Sequence, residues 1–124
     1  MAKWQERAAL LFKEEGLNRL KKANVLVVGL GGVGSFAAEF LARDGVGNMT
    51  IVDGDVVDPS NRNRQLPALA TNHGVSKAEI MKERLLAINP ELKLHVVQDF
   101  LTPQKCREIL TTKFDYVMDC IDSI

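Results

Sequence analysis

A glycine-rich hexapeptide at residues 29–34 separates an apolar run from an amphipathic segment. Residues 24–28 are mostly β-branched and show no polar alternation, the pattern of a strand buried on both faces of a parallel sheet. Beyond the glycines, apolar residues recur at helical spacing up to Gly45, which predicts a helix with a glycine C-cap. Glycines between a strand and a helix let the backbone approach a phosphate and present N–H groups to it. The feature therefore predicts an α/β fold with an anion-binding turn.

Strands and helices alternate along the rest of the chain. Predicted strands lie at 24–28, 49–53, 93–98 and 116–119. A first predicted helix spans 4–20 with a break at Gly16, and a second runs from Val33 to a cap at Gly45. Two further helices run from the N-cap Ser76 to Asn89 and from the N-cap Thr102 to about Thr112. This alternation predicts a Rossmann-like, doubly wound, mainly parallel sheet in the strand order 3-2-1-4, with an N-terminal helix. That order brings the glycine turn and the acidic turn at 119–122 to one crevice.

Composition narrows the class of protein. With 124 residues, 46% of them hydrophobic, one domain spanning 1–124 is expected, with residues 1–22 as a helical arm. Sixteen basic and sixteen acidic residues cancel, so a polyanion would need a local basic cluster. Two cysteines without a CxxC pair indicate a reducing, cytoplasmic setting. The charged N-terminus and the lack of a long apolar run argue against secretion and membrane insertion.

An acidic residue follows the second predicted strand. Asp53 lies 19 residues after Gly34, where a carboxylate can accept hydrogen bonds from ribose hydroxyls. Glycine turn and carboxylate together indicate a nucleotide without saying which one. A structural glycine turn that binds no ligand is the alternative.

A polar loop at 54–65 favours a triphosphate. It ends in a cluster of cations and amides, and Lys77 stands at the first turn of the next helix. Arg64 and Lys77 could neutralise a triphosphate before a carboxylate attacks the α-phosphorus. Asp122 could hold a magnesium ion that bridges the phosphates. Ordinary surface or turn roles are equally good explanations for Asp55, Asp58 and Arg62.

Four sequence runs, at 29–35, 53–65, 75–79 and 119–123, resemble the adenylation domain of the ubiquitin-activating HesA/MoeB/ThiF superfamily. The resemblance covers nearly the whole chain, whereas the family domain continues past residue 124, so we expect the chain to be truncated relative to it. The resemblance implies an ATP-binding adenylation domain that works as a homodimer with magnesium. The resemblance implies nucleotide contacts from Gly29, Gly31, Gly32, Gly34, Asp53, Asp55, Ser60, Asn61, Arg64, Gln65 and Lys77. It implies catalytic roles for Arg64, Lys77 and an arginine from the dimer partner, which Arg7 matches here. It also implies that Asp122 binds the metal.

Three features are similar to the branch of tRNA threonylcarbamoyladenosine dehydratases: the N-x-N-R-Q form of 61–65, the 99–103 segment, and Ser123 after Asp122. This likeness implies that ATP adenylates the threonylcarbamoyl carboxylate on a tRNA adenosine, after which the group cyclises with net loss of water. It implies tRNA as substrate and a possible cysteine desulfurase system as partner.

Three other functions remain open at this point. The substrate could be the C-terminal carboxylate of a ubiquitin-like sulfur carrier. The chain could be a fragment of an NAD-dependent dehydrogenase, although the 61–65 cluster would then have no role. It could also be a non-catalytic nucleotide-binding or dimerisation module. Cys120 is expected beside the crevice, where a buried strand-end cysteine is more often a packing residue than a nucleophile.

Overall fold

Four parallel strands form one sheet in the order β3-β2-β1-β4, as the sequence predicts. The computed structural model describes residues 3–121, and for residues 7–12 it describes the backbone but not the side chains. The strands are β1 (Asn24–Val28), β2 (Asn48–Val52), β3 (Lys93–Val97) and β4 (Tyr116–Asp119). The predicted bounds of β1 and β4 match, whereas β2 begins and ends one residue earlier than predicted. Asp53 therefore lies just past the strand, in the turn.

Helices connect the strands. They are α1 (Glu6–Lys22), α2 (Gly32–Asp44), α3 (Lys77–Ile88) and α4 (Pro103–Ile109), with 3-10 helices at Lys3–Gln5 and Pro59–Asn63. The predicted caps of three helices are present, because Gly45 ends α2 at φ 99° while Ser76 and Thr102 accept backbone N–H bonds at the starts of α3 and α4. None of the described helices combines the length and apolar character needed to cross a membrane.

The break in the first helix lies at Lys13 rather than at Gly16. Lys13 has φ 60° and ψ 168°, whereas Gly16 continues the helix. Leu17 in the second half is buried, and the 3-10 turn before the first half places Gln5 against Gly45. The prediction of a break at Gly16 is therefore wrong: low helix propensity marked the glycine, but the backbone leaves helical geometry three residues earlier.

Apolar side chains cover both faces of β1 and β2. On one face Val27, Ile51 and their neighbours pack against α2 and α3; on the other, Leu26, Val28 and Val52 pack against Val97, Ile109 and Phe114. This two-sided burial explains why residues 24–28 lack polar alternation.

The two edges of the sheet face opposite ends of the helices α2 and α3. Because α2 and α3 run antiparallel to the strands, both helices begin at the carboxyl edge of the sheet and end at its amino edge. Between these edges the helices are joined by Glu39 on α2, which accepts hydrogen bonds from Arg43 at 2.9 Å and from Arg84 of α3 at 2.8 and 3.1 Å. Burial alone would raise the pKa of Glu39, but these hydrogen bonds and the arginine charges outweigh it and lower the pKa.

Candidate nucleotide-binding site

A cleft of about 360 Å³ opens at the carboxyl edge of the sheet. Turns that follow β1, β2, β3 and β4 all contribute to its wall, as expected where strand order reverses in a doubly wound sheet. Of the residues predicted for nucleotide binding, the cleft is lined by Gly29, Gly31, Asp53, Asp55, Asn61, Arg64, Gln65 and Lys77. Residues that are far apart in sequence therefore share one cavity.

The glycines of the turn have different roles. Gly29 adopts φ 91°, and a Cβ there would lie 2.7 Å from the Cys120 carbonyl oxygen. A Cβ on Gly34 would lie 1.6 Å from the Gly29 carbonyl oxygen, so Gly34 is required for packing of α2 on the turn. A Cβ on Gly32 would lie 3.9 Å from the Arg64 carbonyl oxygen, which is an ordinary van der Waals distance. The open space around Gly32 leaves room for a ligand to reach the start of α2.

Asp53 bonds two backbone segments at once. One carboxylate oxygen accepts the Leu30 N–H at 2.7 Å, and the other accepts the Asp55 N–H at 2.7 Å. Two oxygens offer about four acceptor positions, so acceptors remain for ribose hydroxyls. The ribose prediction is therefore compatible with a second role for this side chain.

The polar loop is ordered by its own cap. Asp58 accepts bonds from the backbone N–H and hydroxyl of Ser60 at 2.9 and 2.7 Å, and the Asn61 side-chain oxygen accepts the Asp58 N–H at 2.8 Å. The side-chain and backbone bonds from Ser60 lower the pKa of Asp58. Ser60 thus serves the loop and does not line the cleft, whereas buried Asn61 does.

Two consecutive residues at the end of that loop enter the cleft. Arg64 is exposed and donates to the Ser60 carbonyl at 3.1 Å and to the Asn63 side chain at 3.0 Å. Gln65 is 7% exposed, and its Oε1 has no hydrogen-bond partner among the described residues. A buried polar atom without a partner costs about 1–3 kcal/mol. Gln65 lines the cleft, but this oxygen is closed to solvent, so a ligand would reach it only through a shift of the Gln65 side chain.

Lys77 is a buried cation at the wall of the cleft. It is 6% exposed, and its ammonium lies 4.0 Å from the Asp55 carboxylate. Its backbone N–H donates to the Asp55 carbonyl at 3.1 Å, and Val56 and Ser76 form an antiparallel bridge beside it. This short ladder fixes the first turn of α3 against the 54–65 loop, which holds Lys77 in position.

Charge and helix direction favour an anion here. Two helices of 13 and 12 residues, α2 and α3, begin at the cleft. Their first N–H groups and partial positive charge add to those of Arg64 and Lys77. The arrangement suits a ligand with several negative charges next to neutral polar groups.

Sequence reasoning missed one wall of the cleft. Asp99, Phe100 and Leu101, after β3, line it together with Gly54. A Cβ on Gly54 would lie 2.5 Å from the Phe100 backbone nitrogen, so this glycine is required by close approach of the two turns. The predicted strand order could have located these residues. Because β3 lies beside β2, the residues that follow β3 must reach the carboxyl edge of the sheet, where the cleft lies.

Cys120 also borders the cleft. Burial raises the pKa of its thiol, and the adjacent Asp119 carboxylate adds to that effect. A raised pKa disfavours the nucleophilic thiolate, which is compatible with the packing role inferred from sequence.

The described residues do not include two of the predicted site side chains. Asp122 and the Arg7 side chain lie outside the described residues, although Ile121, directly before Asp122, lines the cleft. Between residues 3 and 121, no group of three or more His, Cys, Asp or Glu side chains is placed to hold a metal.

Comparisons with known proteins identify the family of the chain. The ThiF family matches residues 5–124. The chain is 46% identical to the tRNA threonylcarbamoyladenosine dehydratase of Escherichia coli over 98% of its length and 46% of that protein, and 38% identical to the molybdopterin-synthase adenylyltransferase of Haemophilus influenzae over 89% of its length and 45% of that protein.

A solved structure extends the likeness to three dimensions. The E. coli tRNA N6-threonylcarbamoyladenosine dehydratase in complex with ATP superposes with a TM-score of 0.93 at 45% identity, over 100% of this chain and 52% of that one. The chain spans about half the length of the curated relatives it matches. The superfamily resemblance and the resemblance to the dehydratase branch are both confirmed. The chain belongs to the ThiF family.

Proposed function

We propose that the cleft at the carboxyl edge binds ATP and that the protein uses it to adenylate a carboxylate. The observation that carries this proposal is the convergence of the glycine turn, Arg64, Gln65 and Lys77 on one cavity. A dinucleotide pyrophosphate is largely served by a glycine turn alone, so the extra cations favour a triphosphate over NAD.

In the proposed reaction, a carboxylate oxygen attacks the α-phosphorus of ATP, the bond from that phosphorus to the bridging oxygen breaks, and pyrophosphate leaves. No side-chain nucleophile is needed. Arg64 and Lys77 reduce repulsion between the carboxylate and the phosphates and stabilise the negative charge of the leaving group, and N–H groups at the start of α2 assist. Asn61 and Gln65 supply neutral polar groups that orient the phosphates.

Magnesium fits this site as an ion held mainly by phosphate oxygens. Each described carboxylate of the cleft has a partner: Asp53 accepts two N–H groups, Asp55 lies 4.0 Å from the Lys77 ammonium, and Asp99 lies 3.2 Å from the Lys105 ammonium. They therefore do not form a protein cage. Magnesium prefers one or two carboxylates plus phosphate oxygens, and we assign the carboxylate role to Asp122. When bound, the ion would neutralise phosphate charge.

For the carboxylate substrate, the names of the relatives favour the threonylcarbamoyl group on a tRNA adenosine, with cyclising dehydration as the outcome. The C-terminus of a ubiquitin-like sulfur carrier is the second candidate, because a molybdopterin-synthase adenylyltransferase is 38% identical. A homodimer in which Arg7 reaches the partner's cleft completes the proposal, with the cytoplasm as its setting. Trapping the acyl-adenylate on modified tRNA or on a carrier protein chooses between the substrates.

Exchange of labelled pyrophosphate into ATP tests the adenylation step. With the carboxylate substrate present, the wild-type protein should catalyse exchange, while Arg64→Ala and Asp122→Ala should reduce it at least about 100-fold. Titration with ATP and with NAD is the companion measurement. Tight binding of NAD without an effect of ATP would refute the proposal in favour of a dehydrogenase.

A further inference from the structure

Asp53 occupies an unusual place in the hydrogen-bond network of the cleft. A carboxylate that served only as a ribose acceptor would need no backbone partners, yet both oxygens of Asp53 accept backbone N–H groups at 2.7 Å. The two donors belong to different segments: Leu30 is in the glycine turn, and Asp55 is in the loop that leads to Lys77. Asp53 thus joins the two parts of the cleft that are proposed to face phosphate.

The connection continues from Asp55 to Lys77. The Asp55 carbonyl accepts the Lys77 N–H at 3.1 Å, so only two hydrogen bonds separate the Asp53 carboxylate from the first turn of α3. On the other side, Leu30 is fully buried, and its N–H would lose its acceptor if the carboxylate were removed. An unsatisfied buried N–H is costly, so the turn would have to move.

From this network we infer that Asp53 is a positioning residue for the phosphates as well as an acceptor for the ribose. Its carboxylate clamps the glycine turn to the Asp55–Lys77 segment, which sets the distance between the start of α2 and the lysine that meets the phosphates. The inference rests on the proposed binding of ATP. It differs from a ribose-only role in one respect: it requires Asp53 to matter for a ligand that has no ribose.

Inorganic tripolyphosphate is such a ligand. Its affinity, and that of ATP, should be measured by calorimetry with the wild type, Asp53→Asn, Asp53→Ala and Asp44→Asn. Asp44 is an exposed aspartate at the far end of α2, so its variant repeats the loss of charge away from the cleft. The clamp predicts that Asp53→Ala weakens tripolyphosphate about tenfold, that Asp53→Asn, which keeps one acceptor oxygen, weakens it less, and that Asp44→Asn has no effect. Unchanged tripolyphosphate affinity with weakened ATP affinity would overturn the clamp and leave a ribose role alone.

Amide hydrogen exchange on the same proteins separates positioning from general loss of stability. Asp55 is exposed, so slow exchange of its amide in the wild type reports the bond to Asp53. In Asp53→Ala, which removes both acceptor oxygens, exchange should accelerate at Leu30 and Asp55 while amides at the amino edge, such as Asn48, stay unchanged. Fast exchange of the Asp55 amide in the wild type would overturn the inference even if a variant failed to fold. Failure of the wild type to bind ATP would instead overturn the proposed function itself.

Discussion

The two edges of the sheet carry cavities of opposite character. The amino edge has the larger one, about 520 Å³ against 360 Å³, lined in part by Trp4, Lys21 and Lys93. At that edge α2 and α3 end, so backbone carbonyls face the space, and buried Asn89 donates to the Ala42 carbonyl. At the carboxyl edge the same helices begin, and buried Gln65 has an oxygen with no described partner.

Under the proposed function the smaller cavity is the functional one, so cavity size does not locate function in this fold. Helix direction and basic side chains locate it instead, because helix N-termini and cations attract phosphate. At the amino edge, the close contacts of Gln5 with Gly45 and of Lys21 with Gly47 show the N-terminal segment and the sheet loops packed against each other. The carboxyl edge should therefore be sensitive to substitutions that affect nucleotide binding, and the amino edge should respond through stability alone.

The largest expected effect is at Lys77. Lys77→Ala removes a buried cation from the phosphate region and should lower pyrophosphate exchange by about 100- to 1000-fold. The matched control is Lys93→Ala, which removes the same side chain from the amino-edge cavity and should leave exchange within about twofold. Equal losses in the two variants would break the distinction between the edges.

Glycine substitutions give the next largest effect and compare the edges directly. Gly29→Ala combines a strained φ of 91° with a Cβ 2.7 Å from a carbonyl oxygen, and should destabilise the fold by about 2–4 kcal/mol. Gly47→Ala at the amino edge places a Cβ 1.8 Å from the Lys21 carbonyl oxygen and should also destabilise. Urea unfolding measures both. Among molecules that remain folded, only Gly29→Ala should weaken ATP binding, and weakened binding in Gly47→Ala would contradict the comparison.

The sequence predicts the elements and their order better than the contacts between turns. Local patterns fix the strands, the caps at Gly45, Ser76 and Thr102, and the glycine turn, and the strand order then follows from general rules of chain connection. The bonds of Asp53 depend on which of its neighbours come within about 3 Å, and the break of α1 lies at Lys13, a residue of good helix propensity. Neither leaves a periodic signal in the sequence, and the bonds of Asp53 are decided by contacts between turns that are distant in the chain.

Low pH tests the cluster of Glu39, Arg43 and Arg84, which joins α2 and α3 between the two edges of the sheet. Since the pKa of Glu39 is lowered from its ordinary value of 4.5, the folded state binds this proton less readily than the unfolded state. The stability from Glu39 is therefore fully present above about pH 4.5 and is lost as pH falls through the lower folded-state value. Glu39→Gln should cost about 1–2 kcal/mol at pH 7 and reduce the loss of stability between pH 5 and pH 3. Urea unfolding across that range measures it, and an unchanged pH dependence in the variant would contradict the role of the cluster.

The smallest expected effect is at Gln65, where a substitution should raise stability and weaken ATP binding. It tests whether the buried Gln65 oxygen at the carboxyl edge lacks a partner in the ligand-free protein. Gln65→Met keeps the length of the side chain and removes the buried Oε1 that has no described partner. Without the desolvation cost of that atom, the ligand-free protein should gain up to about 1 kcal/mol in free energy of unfolding, whereas ATP affinity should fall several-fold because a hydrogen-bonding group of the cleft is missing. Thermal unfolding with and without ATP measures both quantities in one experiment.

Asn89→Leu, which removes a buried amide that is already hydrogen-bonded at the amino edge, should instead reduce stability and leave ATP affinity unchanged. If Gln65→Met destabilised the ligand-free protein in the same way as Asn89→Leu, Gln65 would be a satisfied structural residue, and its side chain would not distinguish the carboxyl edge from the amino edge.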